Sequence, residues 1–96
     1  GRELFVGKAA CADCHAGDTF TTDDVFRVGL EGSRDRYKGY NPPSLRGLHA
    51  RRRFLHDGRA RSLEEVLREW HKPEELNGAA LTDDEREALI AYLKSL

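Results

Sequence analysis

The sequence predicts an all-α domain with long loops, and three observations carry that expectation. Two capping boxes, Ser62 with Glu65 and Thr82 with Glu85, each open a run whose apolar residues recur at helical spacing. No segment alternates apolar and polar residues as a half-buried strand would. The stretch Asn41-Pro42-Pro43-Ser44-Leu45-Arg46-Gly47-Leu48 is a loop by composition, because paired prolines forbid regular backbone hydrogen bonding. The 96 residues make one domain, 1–96, with 39% hydrophobic and 34% charged residues and hence a thin core. A domain this short often relies on a disulfide, a metal or another bound group to hold together.

The elements follow in order. Residues from Arg2 to about Ala12 read as a helix, with Leu4 and Phe5 on its apolar side, running directly into two cysteines. Asp23 to Val28 reads as a short helix with Val25 and Phe26 facing inward. From Ser62 a better-marked helix carries Leu63, Val66, Leu67 and Trp70 on one side, and Pro73 stops it, since the residue before a proline avoids the helical region. The last helix presents Leu89, Tyr92, Leu93 and Leu96 on one face. Internal repeats and low-complexity tracts are absent from the sequence.

The formal net charge of −1 carries no field that favours nucleic acid or a membrane surface. No apolar run is long enough to cross a bilayer. The chain starts at Gly1 rather than methionine, which reads as a processed or excised piece of a larger protein.

Cys11-Ala12-Asp13-Cys14-His15 is C-x-x-C-H, the attachment signature of a c-type haem. Two thiols must reach two vinyl groups on adjacent porphyrin edges, and two intervening residues span that gap in one helical turn. The next residue then turns its imidazole to the iron. A disulfide across so short a loop would constrain little. A redox dithiol of thioredoxin type needs a preceding strand, and none is signalled. Zinc would need further ligands, for which His49, His56 and His71 are available. The motif therefore predicts one covalent haem c, with Cys11, Cys14 and His15 as its anchors.

Beyond that motif the chain resembles a small monohaem cytochrome c. The pieces are Gly1-x-x-Leu4-Phe5, Pro43-x-Leu45-x-Gly47-Leu48 and the closing Leu89-Ile90-Ala91-Tyr92-Leu93-Lys94. That resemblance implies a fold in which the N- and C-terminal helices cross, Gly1 and Phe5 packing on Leu89 and Tyr92, while long loops wrap the haem. It also implies that the Pro43 carbonyl takes the hydrogen bond of the His15 imidazole and that Leu45 presses on the haem face. In order along the chain, Pro43-Ser44-Leu45-Arg46, Phe54-Leu55-His56-Asp57-Gly58 and Ser62-Leu63-Glu64-Glu65-Val66 are more closely similar to the C-terminal haem domain of di-haem cytochrome c peroxidases and MauG-like proteins.

The second axial ligand departs from the cytochrome c pattern. The chain contains no methionine, and Leu81 stands where that ligand would sit. In the peroxidase-like domain the ligand lies near the end of the helix after the H-D-G motif, a position that falls on Trp70 or His71. A neutral indole has no usable lone pair and a neutral imidazole does, so His71 is the expected distal ligand. His56 is the alternative, its other role being structural. His49, before three arginines, reads as a solvated loop residue, and Tyr37 or Tyr40 is a weaker candidate.

Charge is unevenly spread. Six arginines and one acid lie between Arg46 and Arg61. Arg46 is the expected partner of a haem propionate, because arginine binds carboxylates through two parallel hydrogen bonds. Arg51, Arg52 and Arg53 either steer an acidic redox partner or are simply solvated. The function expected is electron transfer by a bis-histidine haem, with no enzyme activity of its own. Its partner would be a redox protein or fused redox domain, in a bacterial periplasm or comparable extracytoplasmic space. An open-site haem serving peroxidase-type catalysis or ligand sensing within a larger protein is the alternative.

Overall fold

The computed structural model describes residues 1–30 and 39–96, so Tyr37 lies outside the described residues. Three helices carry the architecture: α1 (Arg2–Val6), α2 (Leu63–Glu65, continuing as a wider π-turn over Val66–Trp70) and α3 (Asp83–Lys94). Single 3-10 turns sit at Cys11–Asp13, Leu48–Ala50 and Pro73–Glu75. Among the described residues the only extended pairing consists of two isolated bridges, Phe26 with Tyr40 and Phe54 with Ala60. The chain is thus helical with long loops. No helix among the described residues is long and apolar enough to cross a membrane.

The α3 helix forms where its cap signals it. Thr82 Oγ1 accepts from Glu85 N at 3.1 Å, and the Glu85 carboxylate accepts from Thr82 N at 2.8 Å. Leu89 and Leu93, one turn apart, are its buried residues. At Ser62 the box is only half closed. Ser62 Oγ accepts from Glu65 N at 3.0 Å, while the Glu65 carboxylate reaches past it to Arg61 N at 2.7 Å.

The α1 helix is shorter than the sequence suggests. It ends at Val6, with Gly7 closing the turn, and Ala10 takes a left-handed φ of 53° before the 3-10 turn of Cys11–Asp13. The change of direction matters, because an unbroken helix could not both pack on α3 and turn the cysteine motif inward. Asp23–Val28 is not helical either. Phe26 pairs in extended form with Tyr40, their N–H groups donating to each other's carbonyls at 2.9 and 2.8 Å, and Val25 is left 66% exposed. Long-range pairing outweighs a weak local helix tendency there.

The core joins all three helices. Phe5, Ala9, Leu48, Phe54, Ala60, Leu63, Val66, Leu67, Leu89 and Leu93 form one buried cluster. The α1–α3 contact is close at Gly1, where a Cβ would sit 2.4 Å from Tyr92 Cβ and 2.5 Å from the Ala88 carbonyl. Phe5 meets Tyr92 and Phe20 edge to face, at 5.5 and 5.7 Å between ring centres. The loop from Asn77 closes over the chain leading to the cysteines. Ala79 N donates to Lys8 O at 2.8 Å, Asn77 Nδ2 donates to Asp13 Oδ2 at 3.1 Å, and a Cβ on Gly78 would press within 2.5 Å of Ala9 O.

Leu89 is fully buried, so Leu89→Ala removes contacts to both terminal helices and leaves a cavity. It should lower unfolding stability by about 3 kcal/mol in denaturant titration. Val25→Ala, at an exposed site, should stay within about 0.5 kcal/mol of the parent chain.

Candidate functional site

The 3-10 turn of the cysteine motif sets its three chemical groups. Cys14 N and His15 N both donate to Cys11 O, at 3.2 and 2.9 Å, so Cys11, Cys14 and His15 are held by one tightened turn. Both cysteines are free thiols. Burial pushes the Cys11 thiol up to about 11, and burial followed by the nearby Asp13 charge also raises Cys14. A dithiol tuned for exchange has the opposite shift, a lowered thiol pKa, so these values weigh against redox-dithiol chemistry.

His15 is fixed by two carbonyls. Its Nδ1 lies 3.1 Å from Pro43 O and 3.1 Å from Phe20 O. Carbonyl oxygens only accept, so Nδ1 carries the hydrogen and Nε2 keeps its lone pair. Burial lowers the His15 pKa, with the two carbonyl bonds partly opposing, and the ring is neutral at pH 7. The Pro43 carbonyl is the acceptor that the resemblance to a small cytochrome c implies. Phe20 is a partner that sequence reading missed. Its carbonyl reaches the ring because Phe20 adopts a left-handed φ of 55°, and nothing in the residue type signals that conformation. The same loop is tied down around His15. Ser44 Oγ donates to Thr19 O at 2.5 Å, and Thr21 Oγ1 donates to Pro42 O.

Facing His15 is His71. The two ring centres are 6.5 Å apart and the planes stand at 85°. A π-turn brings His71 there: His71 N donates to Val66 O at 2.7 Å, five residues back, which widens the last turn of α2. His71 Nδ1 is shut away from solvent and has no hydrogen-bond partner among the described residues. Burial, and secondarily the neighbouring His15, pushes the His71 pKa down to about 4, so it too is neutral at pH 7. Two imidazoles bound on opposite sides of one metal ion would have ring centres about 6.4 Å apart, from metal–nitrogen bonds of about 2.0–2.1 Å and about 1.2 Å from nitrogen to ring centre. The observed separation matches that requirement.

The other candidates lie elsewhere. His56 is exposed and stacks on Tyr40, 4.3 Å between centres with the planes 17° apart. His49 is exposed. Leu45 and Leu81 are half-buried against the core cluster. The Arg46 guanidinium donates to Asp18 O through Nε at 2.9 Å and through Nη2 at 2.5 Å, and it lies over the Phe20 ring. Trp70 is 40% exposed with the Arg59 guanidinium over its ring. Among the described residues no three His, Cys, Asp or Glu side chains gather as a metal cage, so a zinc-type cluster is not formed there.

Residues 5–95 match the family described as di-haem cytochrome c peroxidase. The chain belongs to that family. Among curated proteins this family member is 32% identical to the methylamine utilization protein MauG of Methylorubrum extorquens, over all of this chain and 33% of that protein. It is 31% identical to MauG of Methylophilus methylotrophus, over 93% of this chain and 32% of that protein. It is 26% identical to the cytochrome-c peroxidase IdrP1 of Denitromonas iodatirespirans, over all of this chain and 39% of that one. The chain therefore spans about a third of the length of the relatives it matches. No solved structure gives a significant match. These relationships support a haem-based redox function.

Beside the histidine pair, the H-D-G turn carries the most strongly shifted carboxylate. Asp57 accepts from Arg59 Nε at 3.0 and 2.8 Å and from Arg59 N at 3.1 Å, and these bonds hold its carboxyl down at about 2, with the Arg59 and His56 charges adding to the effect. The ionised, paired form is fully present above the ordinary value of 3.8 and is lost as pH falls through about 2. A carboxyl-carbon NMR titration should therefore place Asp57 near 2 in the parent chain. In Arg59→Gln the midpoint should move up toward 3.8.

Proposed function

We propose that this chain is an electron-transfer haem domain, binding one haem c covalently through Cys11 and Cys14 with His15 and His71 as the axial ligands. The observation that carries this reading is the His15–His71 separation of 6.5 Å between two neutral rings, with His15 bonded through Nδ1 to two carbonyls so that Nε2 keeps its lone pair. A haem bound here would supply a one-electron couple between ferric and ferrous iron.

The chain's own residues do the rest. Pro43 and Phe20 orient the His15 ring and fix its tautomer through their carbonyls. His71, at the end of α2, would hold the iron together with His15, and its imidazole would keep small ligands out. Two imidazoles hold a lower potential than an imidazole–thioether pair, in keeping with a chain that has no methionine. Leu45, half-buried against the core two residues beyond Pro43, would line the haem. The Arg46 guanidinium, exposed beside Asp18, is available to turn toward a propionate. Electrons would pass to and from a partner redox protein or a fused redox domain. One C-x-x-C-H serves one haem, so a di-haem reaction would need a second motif elsewhere. Covalent haem attachment belongs to the oxidising, extracytoplasmic side of a bacterial membrane.

A second reading draws on the relative named as a cytochrome-c peroxidase: an open iron position serving peroxidase-type catalysis or ligand sensing in a larger protein. Carbon monoxide separates the two. On mixing with the dithionite-reduced haem protein it should leave the Soret band unmoved at first and shift it only slowly, as His71 gives way, whereas a fast, complete shift would overturn the bis-histidine reading in favour of the open site. His71→Ala should convert the six-coordinate low-spin spectrum to high spin, and His56→Ala should not.

A further inference from the structure

The H-D-G turn lies outside the histidine pair, yet it touches the end of the element that delivers His71. Arg59 is its centre. The guanidinium Nε donates to both Asp57 carboxylate oxygens, Nη2 lies 2.7 Å from Asp57 Oδ2, and Nη2 also donates to Leu30 O at 2.8 Å. These bonds hold the guanidinium by its edge. Its face is turned to Trp70, with Cζ 5.1 Å from the ring centre, which is cation–π distance.

Trp70 is the last residue of the π-turn and the immediate neighbour of His71. It is 40% exposed, so packing encloses its indole only in part. The turn it closes is also of the wide type, with poorer packing along its axis than an α-helical turn. A one-residue shift from the π to the α register would change which of Trp70 and His71 faces His15. Something must hold the wide register, and among the described residues the Arg59 guanidinium lies over the indole ring. An ordinary exposed ion pair contributes little. This arginine differs in being 23% exposed, bonded to the Asp57 carboxylate and Leu30 O, and placed over the ring of the neighbour of the proposed ligand.

We propose that Arg59 is a positioning residue for the distal ligand: clamped by Asp57 and Leu30, it pins the Trp70 indole and so keeps His71 aimed at His15. The inference rests on the proposed His71 ligation. It concerns a residue that makes no contact with the iron and acts through its neighbour.

The test is the rate at which saturating carbon monoxide displaces His71 in the reduced, haem-loaded chain. Arg59→Gln should raise that rate about tenfold, the size of a lost cation–π contact. Arg59→Lys, which keeps a positive charge over the ring, should stay within about threefold of the parent. Trp70→Leu should match Arg59→Gln, and the double variant should be no faster than either single one, because both remove the same contact. A general loss of stability would instead give additive rates and no rescue by lysine, and that pattern overturns the proposal. So does an unchanged rate in Arg59→Gln. If Arg59→Gln does not fold, Trp70→Phe decides: faster displacement sustains the role and an unchanged rate overturns it. A parent chain that binds carbon monoxide at once overturns both the His71 ligation and this role, whereas a slow parent with unaffected variants removes only the role of Arg59.

Discussion

One hydrogen bond, from His71 N to the Val66 carbonyl, decides what the rest of the site can be. Spanning five residues instead of four, it adds a residue to the last turn of α2 and swings His71 round to His15. With an α-helical closure the same sequence would offer a different side chain at that point, and an indole has no lone pair to give a metal. The wide turn is an uncommon and poorly packed geometry. It persists here between a core that buries Val66 and Leu67 on one side and a proline three residues beyond Trp70 on the other. Pro73 does more than stop a helix, since it also opens the 3-10 turn that leads into the Asn77 loop.

On the opposite side the constraint is of another kind. His15 is aimed by carbonyls, and carbonyls are aimed by backbone conformation. Phe20 supplies one of them at the cost of a left-handed φ, worth about 1–2 kcal/mol of strain for a residue with a Cβ. Its ring recovers part of that by meeting Phe5 edge to face and by lying under Arg46. The two histidines are therefore held by different means, one by a distorted helix and one by a loop threaded through prolines. The H-D-G turn touches both arms. His56 stacks on Tyr40 at the head of the Pro42-Pro43 loop, and Arg59 sits on Trp70 at the end of α2.

Much of this was legible in the residues, for reasons that can be named. The α3 helix and the start of α2 announce themselves through Thr82, Glu85 and Ser62, whose side chains cap local N–H groups and need no distant partner. C-x-x-C-H is a local motif, and its turn depends on five consecutive residues. What stayed hidden depends on contacts far apart in sequence. Phe26 leaves a weak helical pattern to bond with Tyr40, and α1 stops at Gly7 because it must both pack on α3 and release the cysteine turn. The exposure of Trp70 and the grip of Arg59 follow from a tertiary arrangement that periodicity does not record. The resemblance narrows the distal position to Trp70 or His71 and ligand chemistry favours His71, whereas the π-turn that brings it beside His15 has no sequence signature.

The pairing of α1 with α3 has a consequence in time. These elements lie at opposite ends of the described sequence, so during synthesis the segment with Cys11 and Cys14 emerges long before its packing partner exists. Until α3 packs on α1, both thiols hang on an unsupported strip of chain, open to any enzyme that modifies them. Once Leu89 and Leu93 close over Phe5, the Cys11 thiol is half-buried with its pKa raised to about 11, and its reactivity falls. The unfolded chain thus leaves a window for covalent modification that folding then shuts.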